Sequence, residues 1–404
     1  MGPVRTPHLG PDAGGVAVSG RVRVLHVITR LVVGGAQENT LLTVRHLDRR
    51  RYDVHLVSGP SVGPEGSLEG ELPPEVPFVR IPELVRMPHP AKDLVALWKL
   101  YRLMRDGAFQ VVHTHTTKAG VLGRVAARWA RVPVVVHTPH GHAFHGYLGA
   151  TGSVALRLVE ARLARWTDTI VCLTDAERQD YVRLGVGRPE QFEVIHSGVD
   201  TARFQSLQPD PERKRGQLGL PAGARLVGCV ARLAPVKGVQ YLVEAVQAIR
   251  TAVPDAVVVF VGDGELRPQL DRRVRELGLD GAVAFLGLRR DVHEILPLFE
   301  VAVLPSINEG MGKAAVEAMA AGKPVVAAAV SGLRDVVRHG RNGLLVPPAD
   351  PGALAQAVVR LLRHPESARR MGAAGQRDAG AYGIEGMVAR IEAMYERLLR
   401  SKGL

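Results

Sequence analysis

Residues 301–345 read VAVLPSINEGMGKAAVEAMAAGKPVVAAAVSGLRDVVRHGRNGLL, and this stretch decides the fold. An apolar β-branched run ends at Pro305, a glycine-bearing loop carries Glu309, and a helical pattern carries Glu317. A second apolar run, PVVAAAV, and a third, GLLVPP, follow within forty residues. Short continuous apolar strands alternating with helices predict a parallel sheet covered on both faces. In such a sheet, ligands sit outside the carboxyl ends of the strands, which puts Glu309 where a ligand would be. Glu317 comes two helical turns later among Ala315, Val316, Ala318 and Met319, a poor place for an unpaired carboxylate. Hydroxyl groups of a bound sugar or ribose would serve as its partner.

The same alternation runs outward in both directions. Apolar runs at 22–28, 52–57, 110–115, 132–138, 169–174 and 192–197 form one series. Runs at 225–231, 256–262, 282–287, 301–306, 324–330 and 343–348 form another. Between them, residues 201–223 are polar, carry Pro and Gly, and read by composition as a linker. The expected fold is α/β, with two doubly wound parallel-sheet domains facing a cleft that holds the ligand. Residues 1–20 read as a disordered tail.

The chain has 404 residues, 46% of them hydrophobic, enough for two cored domains. The net charge of +12 is spread along the sequence, and aromatics make up only 4%, so stacking platforms for nucleic acid are lacking. Cys172 and Cys229 lie in separate apolar runs and read as buried thiols of a reduced, cytoplasmic protein. No apolar run reaches the length of a membrane span, and no signal peptide is evident.

Several strand ends carry glycines or cations suited to an anion. Gly34 and Gly35 precede a helix after the first strand, where backbone amides can approach a phosphate. This is not GxGxxG, which argues against a dinucleotide cofactor. Arg232 and Lys237 follow the first strand of the second series in VARLAPVKG, placed to neutralise a diphosphate. VGDGEL contributes Gly262 and Gly264, with Asp263 readable as the cap of a plain turn. Gly332 ends a further strand. Each signal is weak alone, and their recurrence at strand ends in both series gives them weight. His113 and His115 end one strand, and His140, His142 and His145 follow another in TPHGHAFHG. A zinc site built from His115, His140 and His142 is disfavoured, because no Cys or carboxylate is near and i,i+2 histidines diverge. A neutral cleft histidine that hydrogen-bonds a phosphate or sugar is expected instead. Asp-x-Asp, the usual clamp for a metal diphosphate, does not occur.

The segments GGAQE, HTPHGHAF, IHSGVD, VARLAPVKG, VGDGEL, PSINEGMGKAAVEAMAAGKPVV and NGLLVPP, in that order, resemble the retaining glycosyltransferases of family 4. These enzymes carry an E-x7-E motif on the GT-B fold, two Rossmann-like domains facing a cleft. The resemblance implies transfer of a sugar from a nucleotide diphosphate sugar with retention, without a cofactor or required metal. Residues 21–200 would be the acceptor-binding domain and 224–380 the nucleotide-sugar-binding domain, with Asp200 at the hinge. Residues 381–404 would form a C-terminal helix able to pack back on the first domain. Glu309, Arg232, Lys237 and His140 would be catalytic. Gly35, Gly262, Gly264, Gly310, Met311, Gly312, Lys313 and Glu317 would bind the donor, a UDP- or GDP-sugar. Gly34, His115 and His142 would meet a sugar or lipid-linked acceptor of surface polysaccharide or glycolipid assembly. Met311 and Lys313 depart from the Phe and Leu frequent in the family, as do Ser331–Gly332 and Asp335 from its glycine pair and Glu, leaving donor choice open. The run DLVALWKLYRLM (93–104) alternates apolar and basic residues, as a helix lying on an anionic membrane would.

Overall fold

The protein is described here from a computed structural model, which covers residues 20–63, 66–141, 150–205 and 210–404. The first half builds one parallel sheet from β1 (Val22–Ile28), β2 (Tyr52–Ser58), β3 (Phe78–Arg80), β4 (Val111–His115), β5 (Val134–Thr138), β6 (Thr169–Cys172) and β7 (Phe192–Val194). Its strand order is β3-β2-β1-β4-β5-β6-β7. The second half repeats the plan with β8 (Arg225–Val230), β9 (Ala256–Val261), β10 (Val283–Phe285), β11 (Val301–Leu304), β12 (Val325–Ala328) and β13 (Gly343–Val346), in the order β10-β9-β8-β11-β12-β13. Strand β3 escaped the sequence reading because three residues at a sheet edge are too few to show a period.

All pairings between strands are parallel, and β4, β5, β9, β11 and β12 are buried along their whole length. Burial on both faces explains why these strands are continuous apolar runs rather than alternating ones. Each sheet reverses its order beside its first strand. The switch lies between β1 and β4 in the first half and between β8 and β11 in the second. The crevices opened at those points are the ligand positions of doubly wound sheets.

Residues 201–223, polar and read as a linker, carry the helices Thr201–Gln205 and Pro211–Gln217. Lys214 from the second of these is buried and bridges Asp291 (2.6 Å) and Glu294, which fastens the crossover to the second domain. The last helix, Ile384–Ser401, returns to the first half. Its Ile384, Met387, Val388, Ile391, Met394, Tyr395 and Leu399 share a core with Val24, Ile28, Val54 and Val136. No helix among the described residues is long and apolar enough to cross a membrane.

Candidate active site

Both switch points open into one cavity of about 820 Å³, within the usual range for ligand sites. Its walls come from both halves. Gly34, Gly35, Glu38 and His140 face Arg232, Lys237, Gly262, Gly264, Glu309, Gly310, Met311, Gly312, Lys313 and Glu317. The sequence thus places every expected catalytic and donor-binding residue on one surface. His115 is not among them. It is 1% exposed and lies behind His140, so the expectation that it meets an acceptor is corrected. His142 lies outside the described residues.

The loop from Pro305 to Gly312 is held from several sides. Lys237 donates to both carboxylate oxygens of Glu309, at 2.8 and 2.6 Å. The Ser306 hydroxyl donates to Glu309 Oε2 at 3.0 Å, and the Gly332 amide donates to the Glu309 carbonyl at 3.3 Å. A Cβ at Gly332 would sit 1.8 Å from the Gly310 carbonyl oxygen, so only glycine lets the two loops approach this closely. Gly312, at φ 81°, turns the chain through the left-handed region into the helix Lys313–Ala320. No side chain among the described residues caps that helix, nor the helix Gly35–His46 across the cleft. Both therefore offer free first-turn amides and the positive end of the helix dipole to the cavity.

The charges are arranged for an anion. Lys313 bridges the domains to Glu38 at 2.6 Å, so Lys237 and Lys313 each hold a carboxylate. Arg232 is exposed at the wall and makes no ion pair among the described residues. Glu317 looks into the cavity without a hydrogen-bond partner among the described residues, and desolvation raises its pKa. An unpaired carboxyl at the edge of a cavity is a group awaiting hydroxyls. Asp263 caps no helix among the described residues. It accepts the Gly264 amide, and the helix Arg267–Glu276 starts later, so VGDGEL serves to pack the turn against the Arg232 loop.

Behind the cavity, histidines form a buried chain. His26 Nδ1 and His115 Nε2 share a hydrogen bond of 2.9 Å, as do His115 Nδ1 and His140 Nε2. His113 is stacked beside His115 and hydrogen-bonds the Tyr395 hydroxyl (2.6 Å) and the Thr138 hydroxyl (2.7 Å). Nitrogens of His26, His113 and His115 lie within 4.8 Å of one another. Both nitrogens of His115 and both of His113 already hydrogen-bond other groups, so a cation there would break most of these contacts. The donor set fits a hydrogen-bond chain better than a metal centre.

Two site residues escaped the sequence reading. Glu38 matters through Lys313, 275 positions away. Glu177 accepts the Leu173 amide (2.6 Å) and the Gly141 amide (2.9 Å), which anchors the backbone beside the cavity residue His140. Its only local signal was Thr174 three residues earlier, a helix cap whose hydroxyl accepts the Glu177 amide.

Comparison with known proteins agrees with this geometry. Residues 33–203 match the family described as Glycosyltransferase Family 4, and residues 210–378 match the one described as Glycosyl transferases group 1. The UDP-Gal:alpha-D-GlcNAc-diphosphoundecaprenol alpha-1,3-galactosyltransferase of Escherichia coli is 32% identical over 84% of this chain and 88% of its own. The D-inositol 3-phosphate glycosyltransferase of Thermomonospora curvata is 33% identical over 72% of each chain. Among solved structures, Anabaena HepE in complex with UDP and glucose superposes with a TM-score of 0.79 over 93% of this chain and 100% of that one, at 24% identity. Sucrose-phosphate synthase of Thermosynechococcus elongatus gives 0.82 over 94% and 100%, also at 24% identity. Two parallel-sheet domains with a shared cleft at their switch points make this the GT-B fold, and the chain belongs to the family 4 glycosyltransferases.

Proposed function

We propose that the protein transfers a hexose from a UDP-sugar to a lipid-linked sugar acceptor, at the cytoplasmic face of a membrane, with retention at the anomeric carbon. One observation carries the reading. Two uncapped helix ends, Arg232 and Lys237 converge on one cavity whose rim also holds Glu309 and the unpaired Glu317. The bond from the anomeric carbon to the diphosphate oxygen breaks with its electron pair leaving on the diphosphate. Arg232, Lys237 and the amides of Gly35 and of residues 310–313 stabilise that charge. The acceptor hydroxyl bonds the anomeric carbon on the same face, and its proton passes to the departing phosphate oxygen. Glu309 holds sugar hydroxyls and Glu317 the ribose. In this reading residues 21–200 bind the acceptor and 224–380 the donor. Arrival of the diphosphate gives Lys237 a second anionic partner beside Glu309, which leaves that carboxylate free to turn toward the sugar.

The UDP donor is supported by the name of the Escherichia coli relative and by the UDP and glucose bound to HepE. The test is a thermal-shift screen of UDP-, GDP- and ADP-sugars, then incubation of the stabilising donor with undecaprenyl-diphosphate-linked GlcNAc. Proton NMR of the product reads the anomeric configuration. An inverted product rejects retention, and an isomerised sugar from donor alone identifies an epimerase instead.

A further inference from the structure

Three imidazoles joined end to end have a direction, because each neutral ring carries one proton. The chain begins at His26, which is 0% exposed and whose Nε2 has no partner among the described residues. It passes through His115 and ends at His140, whose ring lines the cavity and whose Nδ1, itself buried, has no partner among the described residues. Ring planes differ by 12° in the first pair and 30° in the second, and centroids 5.2 Å apart in each fit rings that meet end to end through a 2.9 Å hydrogen bond. His140 holds φ at 62°, a left-handed backbone unusual for a side-chain-bearing residue, so its placement is enforced by its surroundings.

We propose that His26 and His115 are positioning residues that hold His140 as the neutral imidazole with its proton on Nδ1, keeping that N–H for an oxygen of the donor sugar. The proposal rests on the transfer reading above for its substrate.

The sealed end fixes the direction. A buried N–H without an acceptor is the rarer defect in proteins, so the partnerless His26 Nε2 carries the lone pair. The His26 proton then sits on Nδ1 and donates to His115 Nε2. His115 in turn donates from Nδ1 to His140 Nε2, and the His140 proton must sit on its own Nδ1. At the cavity end, the cation that faces His140 is Lys313, already bound to the Glu38 carboxylate. Burial supports the neutral state, pushing the His140 pKa down to about 3. Neutrality suits the chemistry, because an imidazolium beside the anomeric carbon would oppose the positive charge that develops there.

The test reads the tautomer directly. In the full chain labelled with 15N-histidine, long-range proton–nitrogen correlation should show His140 protonated on Nδ1 without any ligand. His115→Phe should lose that tautomer and lower kcat/KM for the UDP-sugar about tenfold. His115→Asn, whose amide N–H takes the place of Nδ1–H, should restore both in large part. His140 protonated on Nε2, or as imidazolium at neutral pH, overturns the proposal, as does one equivalent of zinc in the purified protein. The expected tautomer together with no turnover of any UDP-sugar upholds the chain and sinks only the transfer reading.

Discussion

Arg232 and Lys237 carry the same charge into the same cavity but are held differently. Lys237 is tied to Glu309 before any ligand arrives, whereas Arg232 has no ion-pair partner among the described residues. Arg232→Ala should therefore leave the melting temperature unchanged and lower kcat about a hundredfold, the usual loss for one preorganised donor to a developing anion. Lys237→Ala should match it in turnover and also raise KM, because Glu309 loses the cation that orients it. Unaltered kinetics in either folded variant would remove that side chain from the mechanism. At this scale the E-x7-E spacing was legible, since strand, turn and helix are local patterns. Glu38 and the Glu177 to Gly141 contact were not, because they depend on which loops the two sheets bring together.

Among elements, the helix Asp175–Arg183 carries a carboxyl placed to respond to pH. Glu177 sits in its first turn, and burial pushes its pKa up from an ordinary 4.5 to about 7. A raised carboxyl pKa means that the folded state binds the extra proton. Its contribution to stability is then greatest below pH 4.5 and is lost as pH rises toward 7, at most about 3 kcal/mol. Melting temperatures of the protein and of Glu177→Gln, taken from pH 5 to 8, should show the native protein losing ground to the variant as pH rises. A constant difference would mean that Glu177 does not titrate there. Activity should move the opposite way, falling below pH 7 as protonation takes an acceptor from the Gly141 amide. The helix Pro90–Asp106 raises a separate issue. Leu94 is 68% and Trp98 57% exposed, beside Lys92, Arg102 and Arg105 on the same helix. We propose that this face meets an anionic bilayer, where a lipid-linked acceptor resides. Flotation with phosphatidylglycerol vesicles should carry the protein upward, and Trp98→Ser should weaken it severalfold. Equal flotation with neutral vesicles would rule out the electrostatic part. The sequence showed this helix and its alternation, but which apolar residues stay uncovered depends on its neighbours.

For the whole molecule, the decisive feature is that a helix following the second domain packs on the first sheet. The helix Ile384–Ser401 crosses back and buries seven side chains in or beside the core of the first sheet, and the Tyr395 hydroxyl hydrogen-bonds His113. Its return to the first domain was expected from the family resemblance rather than from its own periodicity, which records burial and not what does the burying. At roughly 1.5–3 kcal/mol for each large apolar side chain, this contact is of the same order as the whole stability of a domain. A chain stopping after residue 383 should therefore lose cooperative unfolding of its first half. Its second half should still bind UDP, since β8–β13 form their own core. Calorimetry with and without UDP separates the two: one UDP-sensitive transition is expected in the truncated chain. Two transitions, or a melt like that of the full chain, would show that the first sheet does not need the returning helix.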